Sequence, residues 1–303
     1  MRQMLGLSTV AVLLVAGWSV AQEGKPQEAP PLPFHAVEGY GGVFATYSAY
    51  LVNGEGAVGL PSAGAIFVLM NHGRNLSSFT LTETLLGRVE LGYGYNRFAM
   101  GDLPDAIQRA TGVRISDDDV VMHNINARVM VVKEGDYGMK WTPAITAGIH
   151  YKDNTTVDTI DRELNGALTG IGIQDSEALD YTLYASKMIT ALPRPVLINA
   201  GVRATRGAHL GLLGFTDDYK CVAEGSVAVM ATDRIIFSGE YRQKPNEYAP
   251  IAGLIGKEDD WFTFCAGYII NPHMTAAVGY AHFGMLLNHE ANDSFGASVK
   301  YEF

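Results

Sequence analysis

The chain has 303 residues, 48% hydrophobic and 18% charged, and a net charge of −10 at pH 7. That acidic balance argues against a nucleic-acid partner, which calls for a basic footprint. Beyond residue 21 no apolar run is long enough for a transmembrane helix, although the chain carries 15 Tyr, 12 Phe, 3 Trp and 34 Gly.

Met1-Arg2, an apolar run from Met4 to Gly17, and Ser19-Val20-Ala21 before Gln22 read as a secretory signal peptide over 1–21. The Pro-, Glu- and Gln-rich stretch that follows opens a periplasmic leader, 22–61. Within it, 38–50 has a strand-like pattern weakened by three glycines.

From residue 62 onward, apolar and polar residues alternate. Strands are expected at 62–71, 77–85, 87–99, 120–133, 138–151, 179–190, 196–206, 220–231, 234–244, 259–271, 273–283 and 293–303. A period of two separates two solvents across one strand, and each segment is near the ~9–11 residues that cross a bilayer at a tilt. The connections alternate between short and long, as periplasmic turns and extracellular loops do. An all-β fold follows: a twelve-stranded antiparallel transmembrane β-barrel over 62–303, in the bacterial outer membrane. An even strand count places the start of the barrel on the periplasmic side, so 38–50 is expected to tuck into the lumen or lie beneath the barrel, not to form wall. The loop 152–178 is long enough for a short helix at Asp158–Leu168. The final strand alternates Phe295, Ala297, Val299, Tyr301 and Phe303 with polar or small residues, and resembles the terminal aromatic signal of outer-membrane barrels. Val299, Tyr301 and Phe303 are its expected membrane-insertion residues, read by the barrel-assembly machinery.

Acidic residues open the strands entered from long loops, and aromatics follow at Tyr181, Tyr219, Trp261 and Phe295. This predicts an outer aromatic girdle under an acidic rim, in contact with lipid and lipopolysaccharide. Cys221 falls on the apolar face and Cys265 on the small-polar face, which argues against a disulfide and predicts two buried free thiols.

Alternation also sorts the inner face. Arg88, Glu90, Arg128, His150, Arg203, Glu224, Glu240 and Arg242 are the candidate lumen-lining residues, and Lys140 is expected among their neighbours. Two readings stand side by side: a lumen packed with paired charges, and a narrow polar channel whose charged rings select solutes. Inward glycines Gly92, Gly94, Gly148, Gly201 and Gly279 leave room for a plug such as 38–50. No catalytic constellation, cofactor or metal site is expected. His123-Asn124 and His150 lie on neighbouring strands, but no serine matches them for a Ser–His–Asn site, and no His pair has zinc-ligand spacing.

Glu38-Gly-Tyr-Gly-Gly-Val-Phe, Gly59-Leu-Pro-Ser-Ala-Gly and Leu85-Leu-Gly-Arg-Val-Glu-Leu-Gly-Tyr-Gly-Tyr95 resemble an uncharacterised family of proteobacterial outer-membrane proteins, known as a domain of unknown function. The same order of motifs is distantly similar to barrels encoded with exopolysaccharide secretion genes. The resemblance covers about residues 38–97 and brings no catalytic residues with it. The expected role is a monomeric channel or accessory pore for small or polymeric solutes. The alternatives are a structural or envelope-assembly barrel with a plugged lumen and an outer-membrane hydrolase.

Overall fold

The computed structural model describes residues 34–52 and 57–303. The signal peptide and most of the leader before the plug lie outside the described residues.

Alternating side chains produce β1 (Ser62–Leu69), β2 (Asn75–Leu85), β3 (Val89–Ala99), β4 (Asp119–Val132), β5 (Ala144–Asn154) and β6 (Glu177–Ile189). They continue through β7 (Val196–Thr205), β8 (Lys220–Met230), β9 (Ile235–Arg242), β10 (Trp261–Asn271) and β11 (Met274–His282). A two-residue hairpin, β12 (Met285–Leu286) and β13 (His289–Glu290), precedes β14 (Ser294–Glu302). Among the described residues, twelve strands, β1–β11 and β14, pair antiparallel in chain order and close into a barrel. The seam is β1 on β14, with Ala63 opposite Tyr301, Ala65 opposite Val299 and Leu69 opposite Phe295.

Closure leaves no strand edge to hydrogen-bond, which a lipid environment requires. Phe79, Leu81, Ile125, Val129, Leu183, Phe237, Phe264, Val278 and Phe295 face outward and exposed, while the polar residues between them are buried within. An apolar exterior around a polar interior marks an outer-membrane barrel.

The strand boundaries follow the alternation with one sizeable exception. β5 begins at Ala144 and not at 138, because Gly135, Tyr137 and Gly138 adopt left-handed backbone (φ 79°, 63° and 71°) and Pro143 has no N–H to give a ladder. Lys140 is therefore exposed in the turn. The girdle needs one correction as well. Tyr181 lies near Tyr219, Tyr241 near Phe262 and Tyr280 near Phe295 at the rim, but Trp261 points inward against Arg242 and Phe283. Parity puts Phe262 on the lipid face instead. Cys221 and Cys265 are free, the first exposed on the lipid side and the second partly covered; neither is a fully buried thiol.

The long loops build a lid. α1 (Leu103–Thr111) carries Pro near its start and ends on Gly112 in left-handed conformation, a common pairing of start and stop residues. The loop after β5 holds two short helices, α2 (Val157–Glu163) and α3 (Ala167–Gly170), where one was expected. Leu103, Ile107, Val157, Ile160, Leu212, Leu213, Phe215 and Phe283 bury their apolar faces together over the barrel mouth.

Candidate functional site

Segment 34–52 forms no wall strand. It is folded inside the barrel, and of its residues only Phe44 is more than slightly exposed. Its fit depends on missing side chains. A Cβ on Gly92 would stand 2.0 Å from the Gly39 carbonyl oxygen, one on Gly94 2.9 Å from Glu38, and one on Gly267 2.2 Å from the Phe34 ring. Of the five glycines read as making room, Gly92 and Gly94 meet the plug. Gly201 instead seats Tyr184, whose ring packs on Tyr47 of the plug, and Gly148 and Gly279 meet wall atoms.

A peptide inside a barrel must find partners for its own amides and carbonyls, and the wall supplies them. Ser78 Oγ donates to Val37 O at 2.7 Å, Thr82 Oγ1 to Gly39 O at 3.0 Å and Thr146 Oγ1 to Ala49 O at 2.6 Å. Asn126 Nδ2 donates to Glu38 O. Ser186 Oγ accepts from Ala49 N at 2.7 Å, and His35 bridges Thr80 and Ser62 at 2.9 and 2.8 Å.

The charged groups are organised by register. Glu90 is paired directly across the ladder with Arg128, Asn126 with His150, His150 with Asp180, and Glu224 with Arg242. Three carboxylates in this ring do distinct work. Glu240 accepts from the amides of Phe44, Ala45 and Thr46 at 3.0, 3.0 and 3.2 Å and from Thr46 Oγ1 at 2.8 Å, so the plug backbone wraps a wall anion as a nest of donors. Glu90 accepts from Val52 N at 2.7 Å and from Arg128 Nε at 2.9 Å, and Arg128 Nη1 donates to Ser48 O at 2.7 Å. Glu224 accepts from Arg242 Nε at 2.9 Å and forms an ion pair with Arg203, whose Nε is also 2.9 Å away.

At the centre the plug presents its own anion. Glu38 takes both terminal nitrogens of Arg203, at 3.2 and 2.9 Å, and Lys152 at 2.5 Å. Tyr40 and Tyr47, themselves on the plug, donate their hydroxyls to the same carboxylate. Asp180 shares Arg203 and Lys152 from the wall side at 3.0 and 2.7 Å. Arg128 lies over the Tyr40 ring and Arg203 over the Tyr47 ring, 5.0 and 4.5 Å from the centroids.

Seven of the eight candidate lining residues, Glu90, Arg128, His150, Arg203, Glu224, Glu240 and Arg242, are therefore buried inside the barrel around the plug. Arg88 is elsewhere: it sits exposed in the β2–β3 turn before β3 begins. Alternation did not pick out Lys152, inward on β5, or Glu38 itself. Lys152 has the inward parity of His150, and Glu38 has no parity to read. Val299, Tyr301 and Phe303 lie on and just after β14, Tyr301 and Phe303 exposed with rings 5.1 Å apart.

His150 is hydrogen-bonded by Nε2 to Thr182 Oγ1 at 2.8 Å and by Nδ1 to Asn126 Oδ1 at 2.9 Å. This Thr–His–Asn chain lies under the Tyr40 and Tyr47 rings, 5.0 and 5.3 Å away. His123, on β4, meets only the Tyr93 hydroxyl and nearby rings on the outer side.

Above the plug, Lys152 and Asn154 hold the carbonyls of Leu210, Gly211 and Leu212 at 2.9–3.0 Å, and Arg242 holds Ala208 O at 3.1 Å. A second buried network fixes the lid, with Glu258 between His209 at 2.9 Å and Lys244 at 2.6 Å. Burial holds His209 below the ordinary imidazole range and brings Lys244 down to about 8 despite Glu258. Burial raises Glu258, but His209 and Lys244 outweigh it and hold the carboxyl low.

A model of the family described as "Protein of unknown function (DUF3034)" matches residues 35–300. No curated protein matches. Among solved structures, the KdgM porin is similar at 8% identity and a TM-score of 0.47, covering 80% of this chain and 99% of that one. The NanC porin is similar at 10% identity and a TM-score of 0.43, covering 80% and 98%. The Acinetobacter baumannii outer membrane protein Omp33 is similar at 8% and 0.42, covering 82% and 100%.

Proposed function

The chain belongs to the DUF3034 family of proteins of unknown function, and from that premise we propose that it is a monomeric, gated outer-membrane channel, closed at rest by residues 34–52. The observation that carries this reading is the chemistry of the plug–wall boundary. Glu90, Arg128, Lys152, Arg203 and Glu240 hold the plug through hydrogen bonds and ion pairs, and Glu224 and Arg242 back this ring by pairing with Arg203 and with each other. Water can replace such partners, whereas an apolar core has no comparable replacement. A lumen vacated by the plug would be a wetted, charged passage of the kind that selects polar solutes.

Planar-bilayer conductance tests it. The intact chain should be quiet or open rarely, and a variant lacking 22–60 should conduct. Silence in both sinks the channel. Ser48 and Ser186 have their Oγ atoms 3.3 Å apart, so a Ser48→Cys/Ser186→Cys pair offers a lock, given the close approach a disulfide needs. Oxidation should abolish the rare openings and reduction should restore them.

The completeness of the closure favours a second reading, a structural or envelope-assembly barrel. Permanent silence together with an envelope defect on deletion would select it. A hydrolase reading has only the covered Thr182–His150–Asn126 chain behind it. Lipid and peptide hydrolysis lost in His150→Ala but kept in His123→Ala would support that reading.

A further inference from the structure

At the extracellular rim, beside the β1–β14 seam, three segments far apart in sequence bring His72, Asp102 and His289 together. His72 is in the β1–β2 turn, Asp102 stands just before α1, and His289 is in β13. Their ligand atoms all lie within 4.8 Å of one another. His289 Nε2 is 2.9 Å and His72 Nδ1 3.5 Å from the same oxygen, Oδ2 of Asp102. We propose that these three side chains form a binding site for a divalent transition-metal ion of the zinc, copper or nickel class.

The spacing suits such an ion. With metal–ligand bonds of about 2.0–2.2 Å, neighbouring donors stand roughly 3.0 Å apart in octahedral and 3.4 Å apart in tetrahedral geometry, and the two observed separations bracket this range. The imidazole rings are stacked 3.6 Å apart at an interplanar angle of 4°. Parallel rings aim their lone pairs along parallel planes, so holding one ion requires them to turn about χ2, a broad torsion in histidine. Two imidazoles and one carboxylate suit zinc, copper or nickel, whereas magnesium and calcium prefer oxygen alone. Three protein ligands leave a fourth position for water.

The backbone is built to hold the three together. His72 adopts left-handed backbone at φ 62°, and its carbonyl accepts the Asp102 amide at 3.2 Å. Gly101 has φ +60°, and a Cβ there would stand 2.2 Å from the His72 carbonyl oxygen; only glycine lets the Asp102 segment approach this closely. Arg74, almost fully buried, donates to Leu286 O at 2.9 Å and to Asn288 Oδ1. Its Nη2 lies 3.6 Å from Asp102 Oδ1, an oxygen enclosed without a hydrogen-bond donor. Arg74 thus sits on the far oxygen and turns Oδ2 toward the imidazoles, the orienting work of an outer-shell partner. A bound ion would staple three rim segments across the seam.

The test uses the untagged full chain, folded in detergent micelles and stripped with EDTA. Calorimetric titration with ZnCl2 should show one equivalent of saturable binding. Co2+ should give the intense visible bands of a low-symmetry nitrogen–oxygen site. His72→Gln, Asp102→Asn and His289→Gln should each weaken zinc binding by more than the ~10–100-fold expected for loss of an outer-shell partner. His273→Gln, in the β10–β11 turn at the opposite rim, should leave it unchanged. Retained heat-modifiable migration on gels certifies that each variant is folded. No zinc uptake and no cobalt bands in the wild type, or unchanged zinc binding in a folded His72→Gln/His289→Gln double variant, would overturn the site. If a variant does not fold, the wild-type cobalt spectrum decides.

Discussion

Glu38 is the residue on which the plug turns, because it puts an anion on a mobile-length peptide opposite two wall cations. Arg203 and Lys152 face it, Asp180 pairs with both, and Glu224 pairs with Arg203. Removing one member of a buried ion network leaves charge uncompensated, at a cost of about 3–5 kcal/mol. Glu38→Ala should therefore speed hydrogen exchange across 38–50 and raise the open probability in bilayers. Unchanged exchange would mean that the hydrogen bonds from Ser78, Thr82 and Thr146 suffice by themselves. Glu240→Gln is expected to act more weakly, since an amide oxygen still accepts from the nest while losing the charge assistance, worth on the order of 1–2 kcal/mol. Of the two wall cations, Arg203 is legible as inward from parity, whereas Lys152 lies one residue past the expected end of its strand. Their partner is not legible, because Glu38 lies in a segment with no regular period, and its role exists only once the peptide is inside.

At the scale of elements, the plug and the lid are separable. Gly92→Val would drive a side chain into the Gly39 carbonyl, 2.0 Å from where its Cβ must stand, and should unseat the plug while leaving β3 paired on both sides. Gly170→Ala, with nothing within 4 Å, is the matched control, and plug exchange should not change in it. The lid answers to acid. His209 has its pKa lowered in the folded state, so it must take up a proton on unfolding below about 6.5, and folding stability falls as pH drops through that value. Glu258 is also lowered, and the stability it contributes is present above about 4.3 and fades below it. Limited proteolysis of 207–216 and 244–260 should accelerate between pH 7 and pH 4, and His209→Asn should remove the upper part of that response. Strands were readable wherever lipid and lumen imposed a period of two. α1 carries Pro104 and Gly112 signals yet lies between two periodic segments, and Gly138 to Trp141 alternates although β5 begins only at Ala144.

For the whole molecule, the outer surface is solvated by lipid, so charge there is costly. Ile125→Arg, at the middle of β4 and exposed outward, should destabilise the barrel by about 2–4 kcal/mol in denaturant titrations from bilayers if it lies near the midplane. A substitution effect near zero would place that face in contact with water and contradict a membrane barrel. By itself the sequence determined the class of fold, the strand number, the membrane, and which side chains face in or out within the regular strands, though not at their ends, where Arg88 and Lys140 fall in turns. Each of these follows from a local period of two repeated along the chain, and parity needs no knowledge of what lies across the lumen. The tertiary structure alone decided that 34–52 fills the interior, that Glu38 meets Arg203 and Lys152, and that His72, Asp102 and His289 converge at the rim. Those facts join residues separated by up to a few hundred positions, and such meetings arise only when the wall closes and brings its first and last strands side by side.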